Sequence, residues 1–179
     1  MRTFHQCTLL TYAYIGDNTV MDAYKNKATS LTTITRCQSD QDKARLTAFF
    51  RQNKEKLAHN DFDQCYVLQQ SGSMIGALKL ETIKQPNCLF LRNVLVDEAH
   101  RKQGIGKRLL KHLPQIIENK SCFCLCYLPL VTFYQHCGFE TVDIDKAAEI
   151  FQRRFYRYNK KANNNRDKTV VLMILQKAI

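Results

Sequence analysis

The 179-residue sequence has no tryptophan, three prolines and six glycines, and no apolar run that approaches the length of a membrane helix. A helix that crosses a bilayer needs about 20 consecutive apolar residues, so we expect no membrane association. With 45% hydrophobic and 24% charged residues the composition is that of a globular protein rather than a disordered chain. This length favours one domain that buries a core without disulfides or metal.

The eight cysteines include no C-x-x-C pair, so zinc-ribbon and thioredoxin-like sites lose their main support and we expect no metal. Three of them, Cys122, Cys124 and Cys126, alternate along a predicted strand and therefore point to one face, where we expect them to act as small apolar core residues. Unpaired cysteines in this number suit a reducing compartment. The start of the chain also lacks an A-x-A-like cleavage site. We therefore expect a cytoplasmic protein.

The net charge of +11 comes from two segments. The first basic segment (residues 101–111) holds five cations and no acid, and in the second basic segment (residues 146–168) the cations exceed the acids by six. Together they account for the whole excess. A charge concentrated in two patches indicates an anionic partner, which is a phosphate-bearing cofactor, a nucleic acid or an acidic substrate.

Residues 1–29 are polar and weakly patterned, which suggests a flexible arm, and Met21 is a second candidate start. From residue 30 to residue 179 the pattern predicts one domain with the order β-α-β-β-β-α-β-α-β-α-β, hence an α/β sheet with helices on both faces. The predicted strands are Leu31–Arg36, Cys65–Leu68, Met74–Ile83, Leu89–Val96, Cys122–Tyr127, one starting at Phe139, and Thr169–Leu175. Ser39 and Asp42 form a capping box ahead of the first helix, whose inner face is Leu46, Phe49, Phe50 and Leu57.

The segment from Val94 to Lys107 carries the strongest chemical signal. A buried strand runs into a tight turn and then into a helix that begins with Gly104 and Gly106. Glycines there let a ligand approach the backbone, and the free N–H groups and the dipole of the helix start favour an anion. The alternative is an ordinary helix start surrounded by solvated lysines.

The sequence from Arg101 to Gly106, placed after Val94–Val96, resembles the R/Q-x-x-G-x-G/A signature of the GNAT superfamily of acetyl-CoA-dependent N-acetyltransferases. The segment from Phe133 to Phe139 is similar to a second hallmark of that family, F-Y-x-x-x-G-F. The resemblance covers about 150 residues. It implies a mixed, mostly antiparallel central sheet with helices on both faces, splayed between the strand that ends at Val96 and the strand Cys122–Tyr127.

The resemblance also implies roles for single residues. Acetyl-CoA would be the co-substrate, and its pantetheine arm would pair with the backbone of the strand end. Its pyrophosphate would lie on the backbone N–H groups of the glycine turn. Tyr134 would protonate the departing thiolate, which suits a phenol with a pKa of about 10. The implied cofactor-binding residues are Val94, Leu95, Val96, Arg101, Lys102, Gln103, Gly104, Ile105, Gly106 and Lys107.

Other positions are less determined. Tyr127 stands where many members of the family have an asparagine, so no cofactor contact from that side chain is expected. The general base is unassigned, with Glu81, Asn93 or a water held by either as candidates. The three histidines near the motifs are expected on helix or turn surfaces rather than in a catalytic pair; they are His100, His112 and His136.

A basic helix is predicted from Asp145 to Tyr158. Phe151, Phe155 and Tyr158 recur at helical spacing and should pack on the sheet, so Arg153, Arg154 and Arg157 should point outward. This helix is either a solvated surface or one wall of an acceptor site that attracts an acidic acceptor or RNA.

The sequence therefore favours an N-acetyltransferase that moves acetyl from acetyl-CoA to a primary amine by direct attack in a ternary complex. The acceptor would be a small-molecule, amino-acid or peptide amine. The alternatives are a basic nucleic-acid-associated protein, which is less favoured because no nucleic-acid motif is present, and a non-catalytic acyl-CoA-binding module. The sequence does not distinguish a monomer from a homodimer.

Overall fold

The computed structural model describes residues 32–55, 63–162 and 165–176. In these residues seven strands and four α-helices follow one another in the predicted order. Their bounds are β1 (Thr32–Arg36), α1 (Asp40–Gln52), β2 (Asp63–Gln70), β3 (Ser73–Ile83), β4 (Cys88–Val96), α2 (Ile105–Ile117), β5 (Cys122–Tyr127), α3 (Val131–Gln135), β6 (Glu140–Thr141), α4 (Glu149–Ala162) and β7 (Val170–Leu175). None of the helices in the described part is long and apolar enough to span a bilayer.

Three predictions fall wholly or partly outside the described residues. The arm 1–29 and its boundary with the domain lie there, and so do Leu31, the predicted start of the first strand, and Leu57. The capping box of α1 is confirmed, because the Ser39 hydroxyl accepts from the Asp42 N–H at 3.1 Å and the Asp42 carboxylate accepts from the Ser39 N–H at 3.2 Å. The helix that this box starts ends at Gln52.

The strands form one mixed sheet in the order β1-β2-β3-β4-β5-β7-β6. β4 and β5 are parallel, and every other neighbouring pair in this described sheet is antiparallel. The parallel pair requires a crossover, which α2 provides. The predicted mixed, mostly antiparallel sheet is confirmed.

Helices cover both faces of the sheet, as predicted. α2 and α3 pack on one face through a core cluster that includes Leu109, Tyr134 and Phe139. α1 packs on the other face through Phe49 and Phe50, and α4 packs beside it on that face. We call these the α2 face and the α4 face.

The three alternating cysteines of β5 point to the α2 face and are completely buried, which confirms their predicted packing role. Burial raises the pKa of the Cys122 and Cys126 thiols to about 12, and it raises that of Cys124 well above its ordinary value. Such thiols stay protonated at neutral pH and are poor nucleophiles.

β4 and β5 separate along their length. Their pairing starts at Leu89–Cys122 and ends at Leu91–Cys124, although β4 continues to Val96 and β5 to Tyr127. A bulge lies at the same place on the other side of β4, where Leu80 is opposite Leu91 but Lys79 is opposite Asn93, so Arg92 is the extra residue. Bulges bend a strand and redirect its side chains. The expected splay is thus confirmed and coincides with this bulge.

α4 differs from its predicted bounds. The sequence predicted a helix from Asp145 to Tyr158, but the segment begins with a short 3-10 turn, Ile144–Lys146, and the α-helix follows only at Glu149. The Asp143 carboxylate caps that turn by accepting from the Asp145 N–H at 3.2 Å, and Ala147 is extended, which interrupts the helix.

The apolar side of α4 packs on the sheet as predicted. Phe151 is completely buried, and its ring stacks on Phe123 with centroids 4.4 Å apart and on Phe90 at 5.8 Å. Phe155 and Tyr158 are partly buried against the same cluster.

The prediction that three arginines of α4 point outward is wrong for Arg154. Arg153 and Arg157 are exposed, but the Arg154 side chain is only 15% exposed and lies over the Phe90 ring at 4.6 Å. Arg154 follows Phe151 by three residues and so shares its inner side of the helix. The sheet offers a carboxylate there, because Glu81 accepts from the two Nη atoms of Arg154 at 2.8 and 3.0 Å.

Glu81 also accepts from Arg92 at 2.7 Å, so one largely buried carboxylate holds two guanidinium groups. Burial by itself raises the pKa of the Glu81 carboxyl. The hydrogen bonds and charges of Arg154 and Arg92 outweigh burial and hold this pKa below its ordinary value of 4.5. Glu81 is therefore ionised at neutral pH and ties α4 to the two central strands.

Replacing Glu81 by glutamine is expected to lower the free energy of unfolding by about 3 kcal/mol at neutral pH, because two largely buried guanidinium groups lose their carboxylate. The pKa is lower in the folded than in the unfolded chain, so this stabilisation is complete above the ordinary value of 4.5 and is lost as the pH falls through the folded pKa. The stability gap between wild type and Glu81→Gln should narrow in acid. Urea unfolding at a series of pH values measures the gap.

Glu149→Gln provides the control, since it makes the same charge change at an exposed carboxylate 3.6 Å from Arg153. Exposed pairs contribute little, so this variant should unfold almost like wild type. The role assigned to Glu81 would be contradicted if both variants lost the same free energy of unfolding. It would also be contradicted if the stability difference between wild type and Glu81→Gln stayed constant in acid.

Candidate functional site

The chain turns sharply between β4 and α2. The Asp97 N–H donates to the Ile75 carbonyl at 3.0 Å, and a 3-10 turn, Glu98–His100, follows. The His100 Nδ1 lies 2.6 Å from an Asp97 carboxylate oxygen, and the Asn53 side chain accepts from the Glu98 N–H at 3.1 Å. These contacts fix the turn that leads to the glycines. His100 belongs to this support, as expected for a turn residue.

Gly104 is the N-cap of α2 and has φ +76°, a left-handed conformation that glycine adopts without strain. The first helical hydrogen bond runs from the Arg108 N–H to the Gly104 carbonyl at 2.9 Å. The N–H groups of residues 105–107 precede this ladder, so they have no carbonyl of their own helix to bond. They form the helix start with free N–H groups that the sequence predicted, an arrangement that favours an anion.

Glycine at 104 also leaves space beside the turn. A Cβ atom placed there would meet no described atom within 4 Å, whereas a Cβ at Gly106 would lie 3.5 Å from Phe133 Cζ and 3.7 Å from Val96 Cγ2. The open side of Gly104 is a cradle that a ligand can approach. Gly106 instead marks the place where β4, α2 and α3 meet, so the two sequence motifs are neighbours in space.

The side chains of this segment point to different environments. Lys102, Gln103 and Lys107 are exposed, and Gln103 bonds the Ala99 carbonyl at 3.2 Å. Arg101 is half-buried and donates from Nε to the Val96 carbonyl at 3.3 Å. Ile105 is buried in the core, so only its backbone can face a ligand. The basic side chains thus surround a turn whose binding groups are backbone N–H groups.

The opening between the splayed parts of β4 and β5 has two different sides. Val94, Cys124 and Cys126 line the α2 face and belong to its core cluster. The side chains of Val94 and Leu95 are both buried, on opposite faces, so these residues can offer a ligand only their backbone. A strand edge without its neighbour is a template for an extended ligand.

Tyr134 lies on the α2 side of this opening and is 0% exposed. Its ring meets Phe133 and Phe139 edge to face, with centroids 5.4 Å apart in both contacts. Its carbonyl accepts from the N–H groups of Cys137 and Phe139, a turn that Gly138 completes with φ +92°. The F-Y-x-x-x-G-F motif is therefore a structural unit that fixes the tyrosine ring in the core cluster beside β5.

The candidate bases lie on the α4 face. Leu91 and Val94 both pack on the α2 face, so the bulge leaves Arg92 and Asn93 on the other side of β4. Glu81 is held there by two arginines, and its lowered pKa makes it a weak base. His112 and His136 lie on α2 and directly after α3 with partly or fully exposed side chains, as predicted.

Sequence reasoning missed Arg92 and the inward position of Arg154. One signal was present: Arg92 and Asn93 are two successive polar residues inside the otherwise apolar strand Cys88–Val96. Two polar positions in a row break the alternation of a strand and are typical of a bulge.

Within the described residues no group of three or more His, Cys, Asp or Glu side chains could hold a metal ion.

The comparisons with known proteins agree with this geometry. The family model described as an acetyltransferase (GNAT) domain matches residues 61–141. No curated protein matches the sequence. Among solved structures, N-acetylglutamate synthase from Neisseria gonorrhoeae, complexed with coenzyme A and L-arginine, matches with TM-score 0.60 and 18% identity over 84% of this chain. The match spans only 34% of that synthase, about a third of its length.

Two further structures match over nearly their whole length. The ribosomal-protein-S18-alanine N-acetyltransferase from Escherichia coli has TM-score 0.58 and 14% identity over 83% of this chain and 97% of its own. An acetyltransferase from Bacillus subtilis in complex with CoA has TM-score 0.58 and 17% identity over 83% of this chain and 100% of its own. Likenesses at these identities establish the fold. Together with the family model matched over residues 61–141, they show that the chain has the fold of GNAT acetyltransferases.

Proposed function

We propose that this protein is an N-acetyltransferase that transfers acetyl from acetyl-CoA to a primary amine by direct attack in a ternary complex. The observation that carries the proposal is the convergence of three elements: the glycine turn at α2, the opening between β4 and β5, and Tyr134 beside that opening. The CoA-complexed neighbours of the same fold support acetyl-CoA as the co-substrate.

The cofactor-binding groups in this proposal are mainly backbone atoms. The N–H groups at the start of α2 bind the pyrophosphate, helped by the helix dipole and by the exposed Lys102 and Lys107. The backbone of Val94–Val96 pairs with the pantetheine arm as a missing strand would. Acetyl-CoA supplies an acetyl group activated as a thioester.

Two groups of the chain then act on the reaction. A backbone N–H of the splayed strand β4 stabilises the oxyanion that develops on the thioester carbonyl. The Tyr134 hydroxyl donates its proton to the sulfur as the carbon–sulfur bond breaks. Attack by the amine needs its neutral form, and Glu81 is a poor candidate to deprotonate it because two arginines hold its pKa low. A water near Asn93 is the better candidate.

The acceptor class is only partly restricted by the family. The neighbours include a synthase of N-acetylglutamate and an acetyltransferase of a ribosomal-protein alanine, so both amino-acid and peptide amines are compatible with this fold.

The nucleic-acid alternative loses support, because the Arg154 side chain is bound to Glu81 and so does not belong to the basic surface of α4.

The described cysteines are all free, which fits our proposal of a cytoplasmic location.

Gly104→Val tests the cofactor site. A β-branched side chain disfavours φ +76° and fills the open side of the turn, so acetyl-CoA affinity should fall by at least about tenfold. Gly72→Val is the matched control, since Gly72 also has positive φ and no described atom within 4 Å of its Cβ position, but lies in the β2–β3 turn. Titration calorimetry measures the acetyl-CoA affinity of both variants. Unchanged affinity in a folded Gly104→Val protein, or equal loss in both variants, would refute the site.

Tyr134→Phe tests the proposed acid. Removing the hydroxyl while keeping the ring should lower kcat by roughly 10²–10⁴ and leave acetyl-CoA affinity nearly intact. The assay is acetyl-CoA turnover against amines, amino acids and peptides. Tyr156→Phe, at an exposed tyrosine of α4, is the control and should keep wild-type turnover. Equal turnover by Tyr134→Phe would mean that another group supplies the proton.

A further inference from the structure

The α4 side of the β4–β5 opening carries a cluster of charged side chains that the cofactor does not explain. Arg92 from the bulge and Arg154 from α4 both bind Glu81, and their side chains are 22%, 15% and 14% exposed, respectively. Tyr158 of α4 lies beside them. We call these four residues the arginine cluster.

Positive charge exceeds negative charge in this cluster. Two guanidinium groups share one carboxylate, and the positive charge of Arg157 also acts on the Tyr158 phenol. Burial raises the pKa of the Tyr158 phenol, against the opposing effect of Arg92, Arg157 and Arg154, so the phenol is neutral and can donate a hydrogen bond. Charges removed from water are costly unless they are paired, so a site with surplus cations favours an anionic ligand.

The two arginines are not equivalent. Arg154 uses both Nη atoms on Glu81, which fixes its guanidinium, whereas the side chain of Arg92 donates to a described residue only through Nη1. Arg92 therefore has further N–H donors for a ligand. Glu81, which Arg154 fixes, holds the Arg92 side chain in place. A guanidinium presents paired donors that match a carboxylate.

The position of the cluster connects it with acetyl transfer. Arg92 is the extra residue of the bulge, directly after the last β4–β5 pair at Leu91–Cys124. It is thus at the start of the opening where the acetyl group would be presented, on the opposite face from α2 and α3. An acceptor can approach there without meeting the core that holds Tyr134.

We propose that the acceptor is a small amine that carries a carboxylate, and that the arginine cluster, with Arg92 as its binding residue, recognises this carboxylate on the α4 face. The proposal rests on the acetyltransferase activity proposed above. A compact ligand fits better than RNA, because Arg92 and Arg154 are largely buried and the continuous backbone of a nucleic acid reaches exposed side chains first. The exposed basic residues of α4, such as Arg153 and Arg157, are the ones that an RNA would contact.

The test compares acceptors that differ only in the carboxylate. Free amino acids and short peptides are each paired with their α-carboxamide, and kcat/KM is measured for both. The carboxylate form should be preferred by roughly ten- to hundredfold, the usual effect of a hydrogen bond to a charged group. Arg92→Gln should remove most of this preference through KM and leave acetyl-CoA affinity unchanged.

Arg153→Gln is the matched control, since it removes the same charge from a side chain that is 72% exposed on α4. It should keep the preference for carboxylates. Arg92→Lys should recover part of the preference, because it restores the charge without the paired donors.

A binding experiment keeps the two proposals separable. Ligand-observed NMR compares N-acetyl amino acids with their carboxamides, and it needs no turnover. Binding of the carboxylate forms that Arg92→Gln abolishes and Arg153→Gln preserves supports the arginine cluster even if Tyr134 proves not to be the acid. Turnover with equal kcat/KM for both acceptor forms would overturn the inference and leave the acetyltransferase intact. A salt-sensitive RNA complex lost in Arg153→Gln but retained in Arg92→Gln would overturn it in favour of RNA.

Discussion

The separation of β4 from β5 is the constraint on which the other features of the site depend. Parallel pairing holds the two strands together only as far as Leu91 and Cys124, and beyond that point the backbone of β4 lacks its partner on one side. Unpaired strand edges inside a sheet are costly unless another group satisfies them. The bulge at Arg92 lies at the same point of β4, and bulges bend a strand.

The two faces of the sheet carry different side chains at the opening. On the α2 face, buried aromatic and cysteine side chains form an apolar core around Tyr134, and the glycine turn lies beside it. On the α4 face, the bulge places Arg92 and Asn93 next to each other and α4 adds Arg154. One irregularity in one strand therefore separates an apolar side of the opening from a charged side.

Much of the fold, including the turn proposed as the cofactor site, could be predicted from the sequence because the signals are local. The β5 strand has its predicted bounds, the Ser39–Asp42 capping box is present, and α2 begins at Gly104, where the sequence predicted a helix start. Each of these depends on residues close together in the chain. The proximity of Gly106 and Phe133 joins distant segments, so no local signal predicts it.

The arginine cluster shows why the rest could not be predicted. Helical periodicity placed Phe151 inside correctly, but a hydrophobic pattern assigns every arginine to solvent and so placed Arg154 outside. Its true position depends on Glu81, which is 73 residues away in the sequence. A buried ion pair of this kind adds little stability compared with apolar residues of the same volume, because desolvation offsets the attraction. Packing alone therefore gives no reason for two arginines at this place, whereas recognition of an anion beside the opening does.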